Sequence, residues 1–291
     1  MSARAARTPR QLIDAAADRL RAAGVPAPEL DAEALLRHVL GWDRARLVAE
    51  ATTPLGQDAE AAALARFARL VTERAARRPL QHLTGRQWFW RHEFVVTKHV
   101  LIPRPETELI VEEGLRRLKG LREPVVVDVG TGGGCIALSI AAERPDAEVV
   151  GIDLSSAALA VATENARRMG LERRVRFLEG DLLEPVAALH GRIDLVASNP
   201  PYVDAADVLA PEVRDHEPAL ALFPPGDPQS VYRRLLPQAA TALRPGGALL
   251  LEVGRGMADA VAALCETAGL RVEAVLADLQ AIPRTVVARR P

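Results

Sequence analysis

From Val125 onwards, short apolar segments typical of strands alternate with longer segments of helical periodicity. The strand candidates read VVVDVG, EVVGIDL, VRFLEG, IDLVASN and ALLLEVG, and the helical segments between them include IALSIAAER, AALAVATENARRMG and VYRRLLPQAATAL. This alternation predicts βαβ units and a mostly parallel sheet that helices cover on both faces. Two last runs, RVEAVLADL and RTVVARR, have no helix between them and predict an antiparallel hairpin at the sheet edge.

The beginning of the chain contains helical signals alone. Thr8 and Gln11 form a capping box around Pro9 at the first helical position, and the helix that they open is expected to stop at Gly24. A second helix, ELDAEALLRHVLG, is expected to end at Gly41, and DRARLVAE and DAEAAALARFARLVTERAARR supply at least two more. These segments predict a small helical bundle. Because they contain no catalytic constellation, we expect a docking or positioning role.

Aromatic and β-branched residues in WFWRHEFVVTKHVLI predict a short hairpin between the two parts. We therefore divide the chain into a helical substrate-docking domain at 1–80, a β-hairpin linker at 81–105 and a catalytic α/β domain at 106–291. The predicted fold class is α/β, with a Rossmann-like seven-stranded sheet and a small N-terminal helical-bundle domain.

Composition narrows the class of protein. The hydrophobic fraction of 49% and the charged fraction of 26% are ordinary for a globular chain. No apolar run approaches the roughly 20 residues that span a bilayer, and the Arg-containing N-terminus lacks the apolar core of a signal peptide, so we expect a cytoplasmic protein without a membrane partner. A net charge of -1 argues against a protein that holds bulk nucleic acid. Cys135 and Cys265 lack metal-ligand spacing and are expected to be small core residues.

A glycine-rich turn, Gly130 to Gly134, follows the first strand and precedes a helix expected to begin near Ile136. Glycines make a tight turn and let a ligand approach bare backbone, while the helix N-terminus offers unpaired N–H groups. A glycine turn alone is a weak signal, and its position between a strand and a helix strengthens it.

Asp153 ends the next strand, about twenty residues past the glycines, a spacing at which a carboxylate binds the ribose hydroxyls of nucleotide-like ligands. The alternative is that it caps the helix that starts near Ser155; the two roles are compatible, and the spacing favours the ribose. The glycines fit neither the dinucleotide fingerprint nor a phosphate-binding loop with its lysine. An adenosine ligand without phosphates fits better, and S-adenosyl-L-methionine (AdoMet) is the common one.

The fourth strand delivers Asn199 to the carboxyl edge of the sheet, followed by Pro200, Pro201 and Tyr202. The prolines fix φ, donate no hydrogen bond and favour an extended loop whose carbonyl groups stay free. The Asn199 side-chain oxygen and the Pro200 carbonyl can then accept both N–H bonds of a planar NH2 group, while Tyr202 offers a face for stacking. The alternative is a strand end with a simple Pro-Pro turn.

The Asn-Pro-Pro-Tyr sequence resembles that of class I AdoMet-dependent methyltransferases that act on planar amino groups of DNA, RNA or protein glutamine. A longer stretch, LTGRQWFWRHEFVVTKHVLIPRPETE, resembles the linker of the release factor glutamine methyltransferase family (HemK/PrmC type), and the resemblance covers nearly the whole chain. It implies transfer of a methyl group from AdoMet, leaving S-adenosyl-L-homocysteine, to the side-chain amide of the Gly-Gly-Gln glutamine in peptide chain release factors.

The resemblance also implies roles for individual residues. The residues implied in AdoMet binding are Asp128, Gly130, Thr131, Gly132, Gly133, Gly134, Asp153, Asp181, Leu182 and Asn199. Those implied in holding the glutamine are Asn199, Pro200, Pro201 and Tyr202, of which Asn199, Pro200 and Tyr202 are the predicted catalytic residues. No metal is expected.

The chain departs from the family pattern in two places. Phe223-Pro224-Pro225 replaces a flexible turn and is expected to reshape one wall of the substrate channel, and Ala281 stands where the family prefers glycine, which we interpret as a mild change. The alternatives that remain are a glutamine of a ribosomal protein as substrate, a nucleic-acid amino methyltransferase, and an inactive AdoMet-binding protein. The charge balance disfavours direct nucleic-acid binding.

Overall fold

The computed structural model describes residues 7–55 and 57–291, and it divides them into two compact units. The first unit comprises the described residues up to Gly85 together with Leu209–His216. The second unit comprises Arg86–Val208 and Glu217–Pro291. The helical unit therefore takes one segment from the later part of the sequence. The domain boundaries at residues 80 and 105 stay predictions.

The first unit is built from helices, as predicted. Their bounds are Pro9–Ala22 (α1), Pro28–Leu40 (α2), Arg44–Ala49 (α3), Gln57–Ala75 (α4) and Leu80–Thr84 (α5). The capping box at Thr8 is present, and Gly41 ends α2 in the left-handed conformation. The helices bury one apolar cluster whose largest members include Leu20, Leu35, Leu36 and Phe67.

The segment Leu209–His216 is attached to the helical unit through one carboxylate. Glu212 accepts hydrogen bonds from Arg74 at 3.0 Å and from Arg77 at 2.7 Å on each carboxylate oxygen. Arg74 is 5% exposed and also donates to Asp31 at 2.6 Å. Burial opposes ionisation of Glu212, but the bonds from Arg77 and Arg74 lower its pKa to about 2. The segment is thus held by a buried, charge-assisted cluster.

The second unit opens with the predicted hairpin, in which Arg86–Phe89 (β1) and His92–Val95 (β2) pair antiparallel. The other strands are Val125–Val129 (β3), Glu148–Asp153 (β4), Val175–Glu179 (β5), Ile193–Ser198 (β6), Leu243–Glu252 (β7), Arg271–Ala277 (β8) and Pro283–Arg289 (β9). The later helices are Glu108–Leu118 (α6), Cys135–Glu143 (α7), Ser156–Arg168 (α8), Pro211–His216 (α9, in the first unit), Ala219–Leu222 (α10), Ser230–Ala242 (α11) and Ala258–Thr267 (α12).

The seven strands of the second unit form one sheet in the order β5-β4-β3-β6-β7-β9-β8. Strands β3 to β7 are parallel, while β9 is antiparallel to both β7 and β8. The predicted α/β fold, including the antiparallel hairpin at the edge, is confirmed. The chain order reverses between β3 and β6, which places a topological switch point at their carboxyl ends.

The sheet has a buried core on each face because alternate residues of a strand point to opposite sides. Val127 and Val129 belong to one apolar cluster, together with Tyr232 of α11, while Val126 belongs to the other, together with Ile110 and Ile140. Burial on both faces explains why the central strands read as continuous apolar runs. No helix within residues 7–55 and 57–291 is long and apolar enough to cross a membrane.

Candidate active site

The glycine turn leaves β3 at the switch point and closes on the neighbouring strand. Gly130, Gly132 and Gly134 have φ values of 71°, 55° and 83°, a region that side chains adopt at a cost. The N–H groups of Gly130 and Thr131 donate to the carbonyl of Ile152 at 2.8 and 2.9 Å. The turn is therefore fixed against β4 before α7 begins.

Asp128 lies beneath this turn and is fully buried. One of its oxygens accepts bonds from the Thr131 hydroxyl at 2.6 Å and from the Ala137 N–H at 3.1 Å. The other oxygen has no hydrogen-bond partner among the described residues. Burial raises the pKa of Asp128 to about 7, although the two hydrogen-bond donors act in the opposite direction and lower it. Asp128 thus ties the turn to the first turn of α7.

Asp153 accepts backbone N–H bonds on both carboxylate oxygens, from Gly132 at 2.8 Å and from Ser155 at 2.9 Å. The N-cap of α8 is Ser155 itself, whose hydroxyl oxygen accepts the N–H of Ala158. Burial raises the pKa of Asp153. Each carboxylate oxygen can accept a further bond, so the ribose role stays open alongside the support that Asp153 gives to the turn.

Asp181 and Leu182 follow β5 at the same edge of the sheet. Leu182 has a φ of 51°, an uncommon value for a residue with a side chain. Asp181 accepts a bond from Arg234 on one oxygen, while the other has no partner among the described residues. An acceptor without a partner beside an apolar side chain fits an adenine ring that carries an amino group.

A cavity of about 360 Å³ lies between these elements. The predicted site residues that line it are Gly130, Thr131, Gly132, Gly133, Asp153, Asp181, Leu182, Asn199, Pro200 and Pro201. Asp128, Gly134 and Tyr202 are not among the lining residues. Phe223, Pro224 and Pro225, where the chain departs from the family pattern, do line it. The volume and the mixture of apolar walls with a few polar groups are typical of a small-molecule site, and a nucleoside ligand such as AdoMet fits them.

Asn199 and Tyr202 are held by a carboxylate that the sequence did not single out. The Asn199 side-chain N–H donates to the Thr107 hydroxyl oxygen at 3.2 Å, and the Thr107 hydroxyl donates to Glu252 at 2.6 Å. The Tyr202 hydroxyl donates to the other Glu252 oxygen at 3.1 Å. A Cβ at Gly130 would lie 4.0 Å from the Asn199 carbonyl oxygen, so the loop after β6 reaches the glycine turn.

Burial governs the titration of this cluster. It raises the pKa of Glu252, which is 2% exposed, while the Thr107 and Tyr202 hydroxyls and the charge of Arg284 lower it. Burial also raises the pKa of Tyr202 above its ordinary value, and the neighbouring Glu252 raises it further. Tyr202 therefore remains a neutral phenol that donates its hydrogen.

Two further side chains in the cavity wall are informative. Asn165, which is 1% exposed, bonds both to Val95 at the end of β2 and to the carbonyl of Gly133. Cys135 is half-buried: it packs against the apolar cluster on one face of the sheet, as expected of a small core residue, and it also lines the cavity, because it begins α7 directly after the glycine turn. Cys265 is buried as predicted. Across residues 7–55 and 57–291, no group of three or more His, Cys, Asp or Glu side chains could hold a metal ion.

Comparison with protein families finds two matches along the chain. Residues 11–85 match the family described as the PrmC N-terminal domain. Residues 122–280 match the family described as a methyltransferase domain. The second match covers the cavity residues from Gly130 to Arg234.

Relatives are similar over almost their entire length. The chain is 46% identical over 283 residues to the release factor glutamine methyltransferase of Cereibacter sphaeroides, covering 96% of this chain and 97% of the relative. It is also 46% identical over 283 residues to the protein of the same name from Deinococcus radiodurans, covering 97% of this chain and 98% of the relative.

Among solved structures, the 16S rRNA N2 G1207 methyltransferase of T. thermophilus, in complex with AdoMet and guanosine, aligns with a TM-score of 0.50 and 21% identity. The alignment covers 71% of this chain and 50% of that one. At this identity the likeness concerns the fold, and it agrees with the class I methyltransferase sheet.

Proposed function

The chain belongs to the release factor glutamine methyltransferase family, and we propose that it transfers a methyl group from AdoMet to the side-chain amide nitrogen of a release factor glutamine. The observation that carries this proposal is the 46% identity over 96% of the chain. The glycine turn and the Asn-Pro-Pro-Tyr sequence alone would also suit amino methyltransferases of nucleic acids. By the family resemblance, the target is the glutamine of the Gly-Gly-Gln loop.

AdoMet would occupy the cavity at the ends of β3 to β6. Asp153 would accept the ribose hydroxyls, and Asp181 and Leu182 would flank the adenine, in line with the unpartnered Asp181 oxygen. The backbone of Gly130 to Gly133, which the glycines leave bare, would lie against the methionine part of the ligand. When bound, AdoMet supplies an electrophilic sulfonium methyl group and leaves as the neutral thioether S-adenosyl-L-homocysteine.

The glutamine amide would be held by the loop after β6. The Asn199 side-chain oxygen and the Pro200 carbonyl are the two acceptors proposed for its two N–H bonds. An amide nitrogen is a weak nucleophile because its lone pair is delocalised into the carbonyl group. Two fixed acceptors orient this nitrogen, and they stabilise the positive charge that develops on it as the N–C bond forms and the S–C bond breaks. The methylated nitrogen then releases one of its two protons to water, which restores a neutral amide. We propose that Tyr202 stacks on the planar amide, with its ring oriented by the bond to Glu252.

The identity of the substrate is the last part of the proposal. A glutamine of a ribosomal protein would need the same chemistry, and the name shared by the relatives supports release factors over it. A nucleic-acid substrate is disfavoured by the net charge of -1.

The direct test is incubation of the purified chain with methyl-labelled AdoMet and two forms of a release factor. The unmodified factor should gain one methyl group, mapped by mass spectrometry to the Gly-Gly-Gln glutamine, and a factor with that glutamine changed to alanine should gain none. Label that persists on the alanine form would reject the proposed site. A ribosomal protein mixture, incubated in parallel, distinguishes the alternative substrate.

A further inference from the structure

Four side chains from separate parts of the sequence meet beside the cavity in one hydrogen-bonded chain. Thr107 precedes α6, Asn199 and Tyr202 follow β6, and Glu252 ends β7. Thr107 and Glu252 are each 2% exposed. Because water is excluded from Thr107 and Glu252, their polar groups have to be satisfied by neighbouring side chains.

The direction of these bonds is determined by the carboxylate. When Glu252 is ionised, the form that its two hydroxyl donors favour, its carboxylate only accepts hydrogen bonds, so the hydroxyl hydrogens of Thr107 and Tyr202 both point to it, at 2.6 and 3.1 Å. A hydroxyl has one hydrogen, so the Thr107 oxygen can only accept from Asn199. The Asn199 amide must therefore turn its NH2 group to Thr107, at 3.2 Å, which leaves its oxygen for another partner.

We propose that Glu252 and Thr107 are positioning residues that fix the amide orientation of Asn199, so that the site presents an acceptor to substrate and selects an NH2 group. This inference rests on the proposed function. With the opposite orientation, Asn199 would present its own NH2 group, which repels the N–H bonds of glutamine and suits the oxygen of a carboxylate. The distinction between glutamine and glutamate as substrate would thus originate in a carboxylate behind the cavity wall.

A purely structural role for Glu252 makes a different prediction. Every bond to Glu252 would then contribute to stability, and none would affect turnover more than another. The fully buried Tyr232 provides the comparison, because its hydroxyl donates to the Glu252 backbone carbonyl at 2.7 Å and leaves the carboxylate untouched.

The test compares Thr107→Val, Thr107→Ser and Tyr232→Phe with the unmodified chain. Thr107→Val keeps the shape of the side chain and removes its hydroxyl, and we expect kcat on the release factor to fall roughly 10- to 100-fold. The dissociation constant for AdoMet, measured by calorimetry, should stay within about 3-fold, because Thr107 lines the cavity with its hydroxyl already bonded to Glu252 and Asn199, and valine keeps the shape of the wall. Thr107→Ser restores the hydroxyl and should recover most of the lost kcat. Tyr232→Phe should lower the melting temperature with kcat within about 3-fold of the unmodified chain.

Two outcomes would overturn this inference and leave the proposed function intact. They are an equal kcat for the valine and serine variants, and a loss of kcat in Tyr232→Phe as large as in Thr107→Val. If Thr107→Val does not fold, Glu252→Gln is measured instead. The NH2 group of the new glutamine would face one of the two hydroxyl donors and disturb the same set of hydrogen bonds. Unchanged kcat in that variant would also overturn the inference. An unmodified chain that binds AdoMet but never methylates the release factor would reject the proposed function, and the inference with it.

Discussion

Asn165, in the last turn of α8, donates a hydrogen bond to the carbonyl oxygen of Gly133 in the glycine turn at 2.9 Å. Its amide also accepts the N–H of Val95 at 2.7 Å and donates to the Val95 carbonyl at 3.1 Å. One buried side chain therefore joins three elements: the turn, α8 and the end of the hairpin.

Removal of this amide should loosen the turn. Asn165→Ala leaves partly buried backbone groups of Val95 and Gly133 without the Asn165 partner, and we expect the free energy of unfolding to fall by about 2–4 kcal/mol. Weaker AdoMet binding should accompany the loss, measured by calorimetry. Thr163→Ala serves as the control, because this exposed side chain bonds to the Leu159 carbonyl of its own helix. Unchanged AdoMet binding in Asn165→Ala would contradict the prediction.

The ribose role of Asp153 gives a second prediction. Asp153→Asn replaces a charged acceptor with an amide that must turn one NH2 hydrogen toward Gly132 or Ser155. A hydrogen bond to a charged group is worth about 1.5–3 kcal/mol, so AdoMet affinity should fall roughly 10- to 100-fold. The matched control is Asp146→Asn, a partly exposed carboxylate paired with Arg144. Equal affinities in the two variants would reject the role.

For Asn199, binding and catalysis should separate. Asn199→Ala removes the acceptor proposed for the glutamine amide, and transfer to the release factor should become undetectable while AdoMet affinity is largely retained. Single-turnover methylation and calorimetry on the same preparation measure both. If the two fall together, Asn199 acts mainly on the cofactor.

Asp128 should make the stability of the chain depend on pH. Burial raises its pKa from 3.8 to about 7, so the folded state binds this proton more tightly than the unfolded state. The resulting stabilisation is fully present below about pH 4 and is lost as pH rises through about 7. Relative to Asp128→Asn, the free energy of unfolding should decrease by on the order of 4 kcal/mol between these limits. Parallel pH profiles in denaturant titrations would show that Asp128 is not the group responsible.

Ala281 lies between β8 and β9, in the hairpin at the edge of the sheet. Its φ is 60°, so the replacement of the family's glycine is more than the mild change that its small side chain suggests. Relief of this strain outweighs the added freedom of the unfolded chain, and Ala281→Gly should stabilise the fold by about 0.5–1 kcal/mol. Ala268→Gly, at a φ of -79°, should destabilise it. Thermal or denaturant unfolding measures both variants, and changes in stability of the same sign would contradict the prediction.

Much of the architecture was predictable because it depends on local patterns. Alternating periodicity identified the strands of the sheet, and the strand order of a doubly wound fold placed Asn199 beside the glycine turn. A Cβ at Gly130 would lie 4.0 Å from the Asn199 carbonyl oxygen, in agreement with that placement. The roles of Thr107, Asn165 and Glu252 were not predictable. Their partners lie 92, 32 and 145 positions away, and such contacts carry no local signal in one sequence. For Asn165, a polar side chain on the apolar face of a helix was the only available hint.

The discontinuous make-up of the helical unit has a consequence for protein engineering. A fragment cut after Gly85 would lack Glu212, and of the two carboxylate partners that the buried Arg74 has among the described residues it would keep Asp31 alone. A chimera that exchanges the N-terminal helices between relatives would likewise combine Arg74 and Arg77 with a foreign segment at 209–216. The exchangeable module is therefore a split one, and its two pieces, on either side of the Asn-Pro-Pro-Tyr loop, have to be transplanted together.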